Sequence, residues 1–466
     1  MPRPKLAKHQ VQAVRFAEAT ERGLLADEPG LGKTASAITS YDGGRNLVIA
    51  PAMVIDGGTW TDELHTWSDF HEGWTVVPFT SLSKRVSTGS GGTRPIAGAV
   101  NPAYAGPWDA IVIDEAHYIK NRNTNWTATI DKLAKNSGAV LAMTGTPISH
   151  WASDLFTTLR LLNPSEAKPG GRFGSYWRWV EEWFETEQSR FGGAHSKDIG
   201  GLLACKPKCK LRPAHKPCKH YRQFMAENMG DRFLRRLRDD VLGDLPPMTV
   251  QQVSSAMDRN QSKMYREMKE EYVADLSDGS TLEAWSDGAR INFLTKLTTS
   301  SWLVDKKGPP KGGKFELLRY DLQQRSRPTL VFGHYRDTVE ACAAVAESVG
   351  ASARFIHGGT SRADRAAIVA QFKAGQLDVL VGSLEVLAEG LTLTAADMAI
   401  FVELSYKPSR NKQARQRVHR WGQTRPVTVR EYITPKTVDS RRLQKLNTKN
   451  DHELRMMSAA EFAQML

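Results

Sequence analysis

The sequence ADEPGLGKT at residues 26–34 constrains this chain more than any other stretch. Gly30 and Gly32 have no Cβ, so the backbone there can turn its N–H groups inward around an anion. Lys33 can reach the β- and γ-phosphates of a nucleotide, and the Thr34 hydroxyl suits Mg²⁺. A short apolar run precedes the stretch and a helix-forming run follows it. The stretch predicts a nucleotide site at a helix N-terminus in an α/β fold; the alternative is a Gly-rich turn with a chance Lys-Thr pair.

Farther along the chain, an apolar run ends in two carboxylates. Residues 110–113 (AIVI) read as a parallel strand buried on both faces, and the sequence DEAH follows directly. Ligands of open α/β sheets bind at the carboxyl ends of strands. Asp114 would hold Mg²⁺, directly or through water, and Glu115 would orient or deprotonate the attacking water. The alternative for such a pair alone is a solvated turn.

Three further residues are candidates for the same site. Thr144 and Thr146 follow the strand-like run AVLAM at residues 139–143. Their hydroxyl groups suit a link between the hydrolysis site and a neighbouring domain, whereas the alternative is an ordinary strand-end turn. Gln10, on a predicted helix upstream of residues 26–34, has an amide that can read an adenine edge, whereas the alternative is a surface glutamine.

The chain is basic, with 63 Lys and Arg against 51 Asp and Glu, a net charge of +12 and a pI near 9.4. This balance favours a polyanionic partner, and the alternative is a generically basic surface. The N-terminal sequence MPRPKLAKHQ lacks an apolar core, and no apolar run approaches the ~20 residues of a membrane span. We therefore expect a cytoplasmic protein without membrane association.

The most basic stretch, residues 206–222, contains seven Lys or Arg and no Asp or Glu. Three of the four cysteines of the chain lie in or next to it. Cys205, Cys209, Cys218 and His220 match a structural zinc site in type and number, with His215 as a substitute for the closely spaced His220. The alternative is a basic loop with reduced cysteines, in keeping with a reducing compartment.

Two other stretches are predicted from composition. Residues 173–184 form an aromatic-rich helix, whose side chains are predicted to pack in a core, with base stacking as the minor alternative. Residues 87–107 are rich in Gly, Ser and Pro and are predicted to be a flexible loop.

The second half of the chain repeats the α/β pattern without a second phosphate-binding loop. Helix-forming segments alternate with strand-like runs at residues 329–332, 353–356, 379–381 and 398–402. Near the end, Arg417 and Arg420 lie three residues apart in the sequence QARQRVHRWGQ and would share one face of a helix. Two guanidinium groups on one face suit a γ-phosphate approached from across a cleft. The alternative is an exposed basic helix.

Taken in order, these motifs resemble those of the superfamily-two helicase-like ATPases, in particular the Swi/Snf-like DNA translocases. The resemblance extends over residues 6–440 and includes Asp27, which the translocase form of the loop carries in place of Gly. It also includes the sequence FLRR at residues 233–236 and LP at residues 245–246. Pro29 departs from the usual Met. Thr392 and the sequence FVELSY at residues 401–406 are more similar to the small branch that remodels and anneals DNA forks.

The resemblance implies an α/β fold of two RecA-like, doubly wound parallel-sheet lobes with helical insertions between them. The expected domains are an ATP-binding lobe at residues 1–162, a helical and basic insertion at 163–240, a helical linker and protrusion region at 241–313, a helicase lobe at 314–440 and a helical tail at 441–466.

The resemblance also implies a DNA-stimulated ATPase that moves along double-stranded DNA, contacts mainly its phosphates, and uses ATP and Mg²⁺. The implied catalytic residues are Lys33, Glu115, Arg417 and Arg420. The implied nucleotide and Mg²⁺ ligands are Gln10, Gly30, Gly32, Lys33, Thr34 and Asp114. The implied coupling residues are Thr144, Thr146, Gly390 and Gln413. The alternatives are a strand-separating DNA or RNA helicase, and a non-catalytic nucleic-acid-binding scaffold that retains the ATP fold.

Overall fold

The computed structural model describes most of the chain as two compact units, residues 3–241 and residues 245–446. The described residues are 3–88, 92–147, 152–188, 197–202, 219–241, 245–387, 393–420, 422–444 and 446. None of the helices within these ranges is long and apolar enough to cross a bilayer.

The first unit alternates helices and strands over its N-terminal part. Its helices are α1 (Lys8–Ala19), α2 (Lys33–Tyr41), α3 (Ala52–Asp56), α4 (Thr59–Trp67), α5 (Asn125–Ala134), α6 (Phe156–Leu162), α7 (Tyr176–Trp183), α8 (Lys219–Asn228) and α9 (Arg238–Val241). Its strands are β1 (Arg22–Leu25), β2 (Asn46–Ala50), β3 (Trp74–Pro78), β4 (Ser83–Ser87), β5 (Thr93–Val100), β6 (Trp108–Ile113), β7 (Ser137–Met143), β8 (Phe184–Gln188), β9 (Lys197–Leu202) and β10 (Phe233–Leu234).

Six of these strands form one parallel sheet in the order β10-β1-β7-β6-β2-β3. The central strands are continuous apolar runs because helices cover both faces of the sheet. All five residues of β2 are buried, as are the last four of β6. The carboxyl ends of β1, β7 and β6 lie side by side, with Leu25 paired to Met143 and Ile113 paired to Ala142. Polar residues that follow these strands therefore meet at one edge.

Most of the aromatic stretch of the first unit packs in its core, as predicted, whereas Trp177 is exposed. Trp179 on α7 is fully buried among Phe156, Phe173 and Phe224. Its indole N–H donates to Asn228 Oδ1 at 2.8 Å, so the buried polar atom is satisfied.

The prediction of a flexible loop at residues 87–107 is wrong for much of that range. Strands β4 and β5 form an antiparallel ribbon, with Ser87 paired to Thr93. The side chain of Arg85 supports the ribbon through bonds to the hydroxyl and carbonyl of Thr93, both at 2.8 Å. Because β5 also packs against α5, contacts distant in sequence override a composition that favours loops.

The second unit contains a second six-stranded parallel sheet, and the fold class is thereby confirmed. Its helices are α10 (Arg259–Glu270), α11 (Asp287–Thr299), α12 (Lys314–Gln323), α13 (Arg336–Ser348), α14 (Arg362–Lys373), α15 (Leu384–Leu387) and α16 (Pro408–Val418). Its strands are β11 (Met248–Ser254), β12 (Val273–Asp275), β13 (Thr281–Glu283), β14 (Thr329–Gly333), β15 (Ala353–Ile356), β16 (Val379–Ser383), β17 (Met398–Phe401) and β18 (Val427–Ile433). The sheet has the order β11-β18-β17-β14-β16-β15.

A buried polar group joins the carboxyl ends of two strands in this second sheet. Glu403, just after β17, is 1% exposed and accepts bonds from the backbone N–H groups of His334 and Tyr335 at 2.8 and 3.2 Å. The hydroxyls of Thr299 and Thr338 donate to its other oxygen at 3.0 and 2.9 Å. Four donors compensate the cost of burying the carboxylate, and they fix the N-terminus of α13 against the sheet.

Candidate nucleotide site

The loop after β1 has the backbone geometry that its glycines predict. Gly30 and Gly32 have φ values of +92° and +73°, a region that side chains with a Cβ rarely adopt. Gly32 precedes the first residue of α2, so the positive end of that helix faces the loop. The ammonium group of Lys33 donates to the carbonyl oxygens of Asp27 and Glu28 at 2.7 and 3.2 Å. Burial lowers the pKa of Lys33, while nearby carboxylates act in the opposite direction.

Asp27 is bound by an arginine more than 200 positions away in the sequence. Its carboxylate is 1% exposed and accepts from Arg236 Nε at 3.0 Å, and Arg236 Nη2 bonds to its other oxygen. Arg235 Nη1 donates to the carbonyl of Ala26 at 2.6 Å. The N–H of Ala26 donates in turn to Leu234 O at 2.7 Å. The edge strand β10 and the two arginines after it therefore fix the start of the loop.

Asp114 and Glu115 lie at the end of β6, at the same edge of the sheet. The carboxylate of Asp114 accepts from the indole N–H of Trp60 and from the backbone N–H of Glu115, both at 2.9 Å. Burial, together with the charge of Glu115, raises the pKa of Asp114 to about 6. Glu115 has a left-handed backbone, with φ +50° and ψ +52°. Non-glycine residues rarely adopt this conformation, and those that do are often found at functional sites.

The side chain of Glu115 is held by residues from two neighbouring segments. Its Oε2 atom lies 3.1 Å from His117 Nδ1 and 3.4 Å from the hydroxyl of Thr144, which donates to it. His117 Nδ1 and Thr144 Oγ1 are 3.2 Å apart. The backbone N–H of Thr146 donates to Thr144 Oγ1 at 3.1 Å. A change in the segment after β7 would therefore alter the position of the Glu115 carboxylate.

Gly145 lets this segment approach the phosphate-binding loop. An added Cβ at Gly145 would lie 2.4 Å from the ring of Pro29, closer than any non-bonded carbon pair allows. Pro29, which departs from the usual Met of the family pattern, thus packs directly against the segment that contains Thr144 and Thr146.

Gln10 lies beside the loop, but its amide is already bonded. Its Oε1 accepts from the backbone N–H of Ala7 at 2.8 Å, and its Nε2 donates to Gly32 O at 3.4 Å. The ring of His9 bonds to Leu31 O at 3.0 Å, and burial lowers the pKa of His9. Adenine recognition by Gln10 stays a prediction, and it would require the amide to exchange these partners.

The residues at this edge fit a nucleotide with Mg²⁺. Two adjacent carboxylates, one with a raised pKa, favour binding of a divalent cation, because the cation offsets their mutual repulsion. Lys33 lies close enough for its pKa to be affected by both Asp114 and Glu115. Thr34, in the first turn of α2, would add the hydroxyl ligand predicted from the sequence.

In the second unit, Gln413 and Arg417 lie on α16 and are 3% and 8% exposed. The expectation that Arg417 and Arg420 share a helical face is wrong, since α16 ends at Val418 and Arg420 lies in the bend that follows. The buried side chain of Gln423 explains this end, because its Nε2 donates to Val418 O at 3.0 Å and to Ala396 O at 2.8 Å. Gly390 lies outside the described residues.

The zinc prediction is likewise untested by the structure. Cys205, Cys209 and Cys218 lie outside the described residues, and only the backbone of His220 is described, as part of α8. Among the side chains that are described, no group of three His, Cys, Asp or Glu is arranged to hold a metal.

Sequence reasoning missed the residues that support the site from a distance. Arg235 and Arg236 belong to the sequence FLRR, but nothing in that sequence predicts their contacts with the loop. Two sequence signals could connect these arginines with the loop. One is the acidic residue Asp27 in the loop, and the other is a pair of arginines after a short apolar run. Trp60 lies on α4, and nothing in the local sequence around it indicates a bond to Asp114.

Comparison with protein families gives two matches along the chain. Residues 98–300 match the SNF2-related domain, and residues 313–422 match the helicase conserved C-terminal domain. The phosphate-binding loop precedes both matched regions, so its assignment depends on its sequence and geometry.

Several curated proteins are similar over nearly the whole chain. The human DNA annealing helicase and endonuclease ZRANB3 is 27% identical over 468 residues, which cover 96% of this chain and 40% of the relative. A relative in Xenopus tropicalis, the SWI/SNF-related matrix-associated actin-dependent regulator of chromatin subfamily A-like protein 1, is 27% identical, with coverage of 93% and 43%. The chain thus spans about two fifths of the length of these two curated relatives.

A solved structure, the SWI2/SNF2 ATPase core of Sulfolobus solfataricus in complex with dsDNA, aligns with 20% identity and a TM-score of 0.40. The alignment covers 100% of this chain and 96% of that one. The two family matches, together with the ordered motifs, show that the chain belongs to the SNF2-related ATPase family and has a helicase conserved C-terminal domain.

Proposed function

We propose that this chain is an ATPase stimulated by double-stranded DNA and that it uses ATP hydrolysis to translocate along the duplex. Membership of the SNF2-related family implies hydrolysis of ATP with Mg²⁺. The observation that carries the proposal is the cluster formed by Lys33, at the start of α2, and by Asp114 and Glu115, at the end of β6. Glu115 also accepts a hydrogen bond from the hydroxyl of Thr144. The net charge of +12, and relatives named as DNA annealing helicases, support DNA as the polyanionic partner.

The residues of the first unit have distinct tasks in this proposal. Mg²⁺ at Thr34 and Asp114 would neutralise charge on the β- and γ-phosphates. Lys33 would exchange its bonds to the carbonyls of Asp27 and Glu28 for bonds to phosphate oxygens, and the N–H groups around Gly30 and Gly32 would bind the same anion. Glu115 would orient the attacking water and accept its proton, since its carboxylate is already held by His117 and Thr144.

The second unit is proposed to complete the catalytic machinery. Arg417 and Arg420 would stabilise charge on the γ-phosphate during transfer. Gln413, Gly390, Thr144 and Thr146 would couple this step to DNA. Hydrolysis would then require both units, and repeated closing and opening would move the chain along one strand of the duplex.

The DNA contacts are proposed to be mainly with phosphates, so binding would be insensitive to sequence and would weaken as salt rises. The direct test is the ATPase rate with duplex DNA, single-stranded DNA or RNA, over a salt series. We expect the strongest stimulation with duplex DNA, declining as salt rises. Glu115→Gln should lower turnover about a hundredfold or more while nucleotide still binds. DNA-independent hydrolysis, or an unchanged rate in Glu115→Gln, would refute the proposal.

A second assay separates translocation from strand separation. On tailed duplexes we expect little strand displacement even when ATP is hydrolysed rapidly. Robust unwinding would favour the strand-separating helicase, and an absence of hydrolysis under every condition would favour the non-catalytic scaffold.

For the basic segment we propose that Cys205, Cys209, Cys218 and His220 bind zinc structurally, because three thiolates and an imidazole are a standard donor set for this metal. Elemental analysis of the purified chain should find one zinc per chain, and protein free of zinc would exclude the site.

A further inference from the structure

The second unit presents a tryptophan that none of the ATPase chemistry uses. Trp285 lies between β13 and α11 and is 86% exposed, more than any other large hydrophobic side chain among the described residues. Tyr320 on α12, at 60%, is the next most exposed in this unit. An indole exposes a large apolar surface to water, so such extreme exposure marks a candidate binding surface.

The backbone that carries Trp285 is held in place by several contacts. Ser286, the next residue, caps α11 by accepting from the N–H of Ala289 at 3.1 Å. The hydroxyl of Tyr272, in the turn before β12, donates to Asp287 at 2.8 Å. The guanidinium group of Arg290 lies 4.1 Å from the centre of the Tyr272 ring. Because the support is rigid, a partner that covers the indole pays little entropy for ordering the backbone.

The surroundings of Trp285 are acidic, although the chain as a whole is basic. Residues 267–290 contain seven Asp or Glu and two Lys or Arg, a formal charge of −5 in a chain of +12. Glu270, Glu271 and Glu283 are all exposed, and Glu283 pairs with Val273 across the ribbon of β12 and β13. Of the two cations, Arg290 is directed back onto Tyr272 and onto the carbonyl of Lys269. Lys263, just before this range, pairs with Glu267 and Asp275, and Arg290 lies 3.7 Å from Asp287. The exposed Glu270, Glu271 and Glu283 still leave the surface negative where a partner would meet it.

We propose that residues 267–290, the acidic ribbon surface, dock a Lys- and Arg-rich polypeptide segment of a partner protein. The face of an indole attracts ammonium and guanidinium groups, and tryptophan is the aromatic side chain that does so most strongly. The surrounding carboxylates attract the same cations over longer distances. Nucleic acid is the other polymer that stacks on exposed aromatics, but its phosphates would be repelled by this surface.

The test measures binding to the full chain by fluorescence anisotropy, with a short labelled peptide rich in Lys and Arg as the probe. Trp285→Ala should weaken binding about tenfold, which is the effect of losing one well-placed aromatic contact with a cation. The triple neutral variant Glu270→Gln, Glu271→Gln, Glu283→Gln should weaken binding and reduce its salt dependence. Tyr320→Ala removes an exposed aromatic ring in the same unit and should leave the affinity unchanged.

A peptide of the same length that is rich in Asp and Glu should not bind. Trp285→Ala should leave the affinity for duplex DNA, and the affinity for single-stranded DNA, the same as in the wild type. No binding of the basic peptide, or equal binding by the wild type and Trp285→Ala, would overturn the proposal. If Trp285→Ala lowers the affinity for DNA and leaves the affinity for the basic peptide unchanged, the proposal is also overturned. That result would assign Trp285 to base stacking. ATPase activity is not the readout, so failure of the ATPase proposal would be recognised separately.

Discussion

At the scale of single residues, the pair of Asp27 and Arg236 accounts for an unusual feature of the loop. A carboxylate at this position loses its water on folding, and such a loss costs several kcal/mol unless a charged partner replaces it. Arg236 supplies that partner through two nitrogens, and it also bonds to the backbone of His9 on α1. The acidic residue therefore makes the geometry of the loop depend on β10 and α1.

We predict that Asp27→Asn and Arg236→Gln each lower the free energy of unfolding of the first unit by about 3 kcal/mol, because each leaves a buried charge without its partner. The loss of unfolding free energy in the double variant should be smaller than the sum of the losses in the two single variants. Urea unfolding followed by tryptophan fluorescence measures these values. Lys135→Ala, which removes an exposed pair with Asp131, should cost about 0.5 kcal/mol or less. Additive losses at Asp27 and Arg236 would argue against direct coupling.

Cys342 on α13 offers a residue-scale probe of the second unit. The thiol is fully buried, and burial, with the nearby charge of Glu403, raises the pKa of Cys342 well above its usual range. A free cysteine thiol has a pKa of about 8.5, so the stability contributed by the neutral buried form is complete below that pH. It decreases as the pH rises toward the folded pKa.

We therefore predict that Cys342 resists alkylation at neutral pH, because only the exposed thiolate reacts. Its labelling should follow the unfolding of the second unit in urea, and the midpoint should fall as the pH is raised above about 8.5. Mass spectrometry of the peptide that contains Cys342 measures this separately from the other cysteines. Rapid labelling of the folded chain at neutral pH would contradict the buried position.

At the scale of elements, the sequence predicts those strands and strand ends that are specified by a run of consecutive residues. The apolar runs of β6, β7, β14 and β16 are long enough to be recognised, and the polar residues after β6 and β7 lie where parallel strands place their ligands. Strand β10 has only two residues and joins the sheet through β1, far away in the sequence. No local pattern specifies that pairing. The end of α16 is similarly set by Gln423, which lies beyond the helix and acts through tertiary hydrogen bonds.

The contact between the phosphate loop and the segment after β7 leads to a prediction at this scale. Gly145→Ala should distort the loop, because the new Cβ would clash with the ring of Pro29. We expect a loss of stability of about 1–3 kcal/mol, typical of overpacking, together with weaker nucleotide binding.

Pro29→Ala removes the ring and should restore much of both properties in the double variant. Thermal unfolding and titration with a fluorescent nucleotide measure the two effects. If Pro29→Ala gives no rescue, the close approach in the structure is not the cause of the defect.

At the scale of the whole molecule, the two sheets carry different halves of the proposed chemistry. The first unit contains the loop, Asp114 and Glu115, and the second contains Arg417 and Arg420. In the proposal, the backbone N–H groups of the loop and Lys33 suffice to bind nucleotide, whereas the transition state carries charge that only additional cations stabilise. Binding and hydrolysis should therefore be separable by substitutions in the second unit.

We predict that Arg417→Ala and Arg420→Ala each reduce the DNA-stimulated kcat about a hundredfold or more, while the affinity for ATP changes less than about threefold. Arg417→Lys and Arg420→Lys are the matched controls. They keep the charge but lose the planar fork that contacts two oxygens at once, so they should recover only part of the rate. Single-turnover hydrolysis and equilibrium nucleotide binding, measured on the full chain with duplex DNA, separate the two effects. Loss of ATP affinity with an unchanged kcat would place these arginines in nucleotide binding and would contradict their proposed role in the transition state, because a residue needed only in the transition state leaves ground-state binding intact.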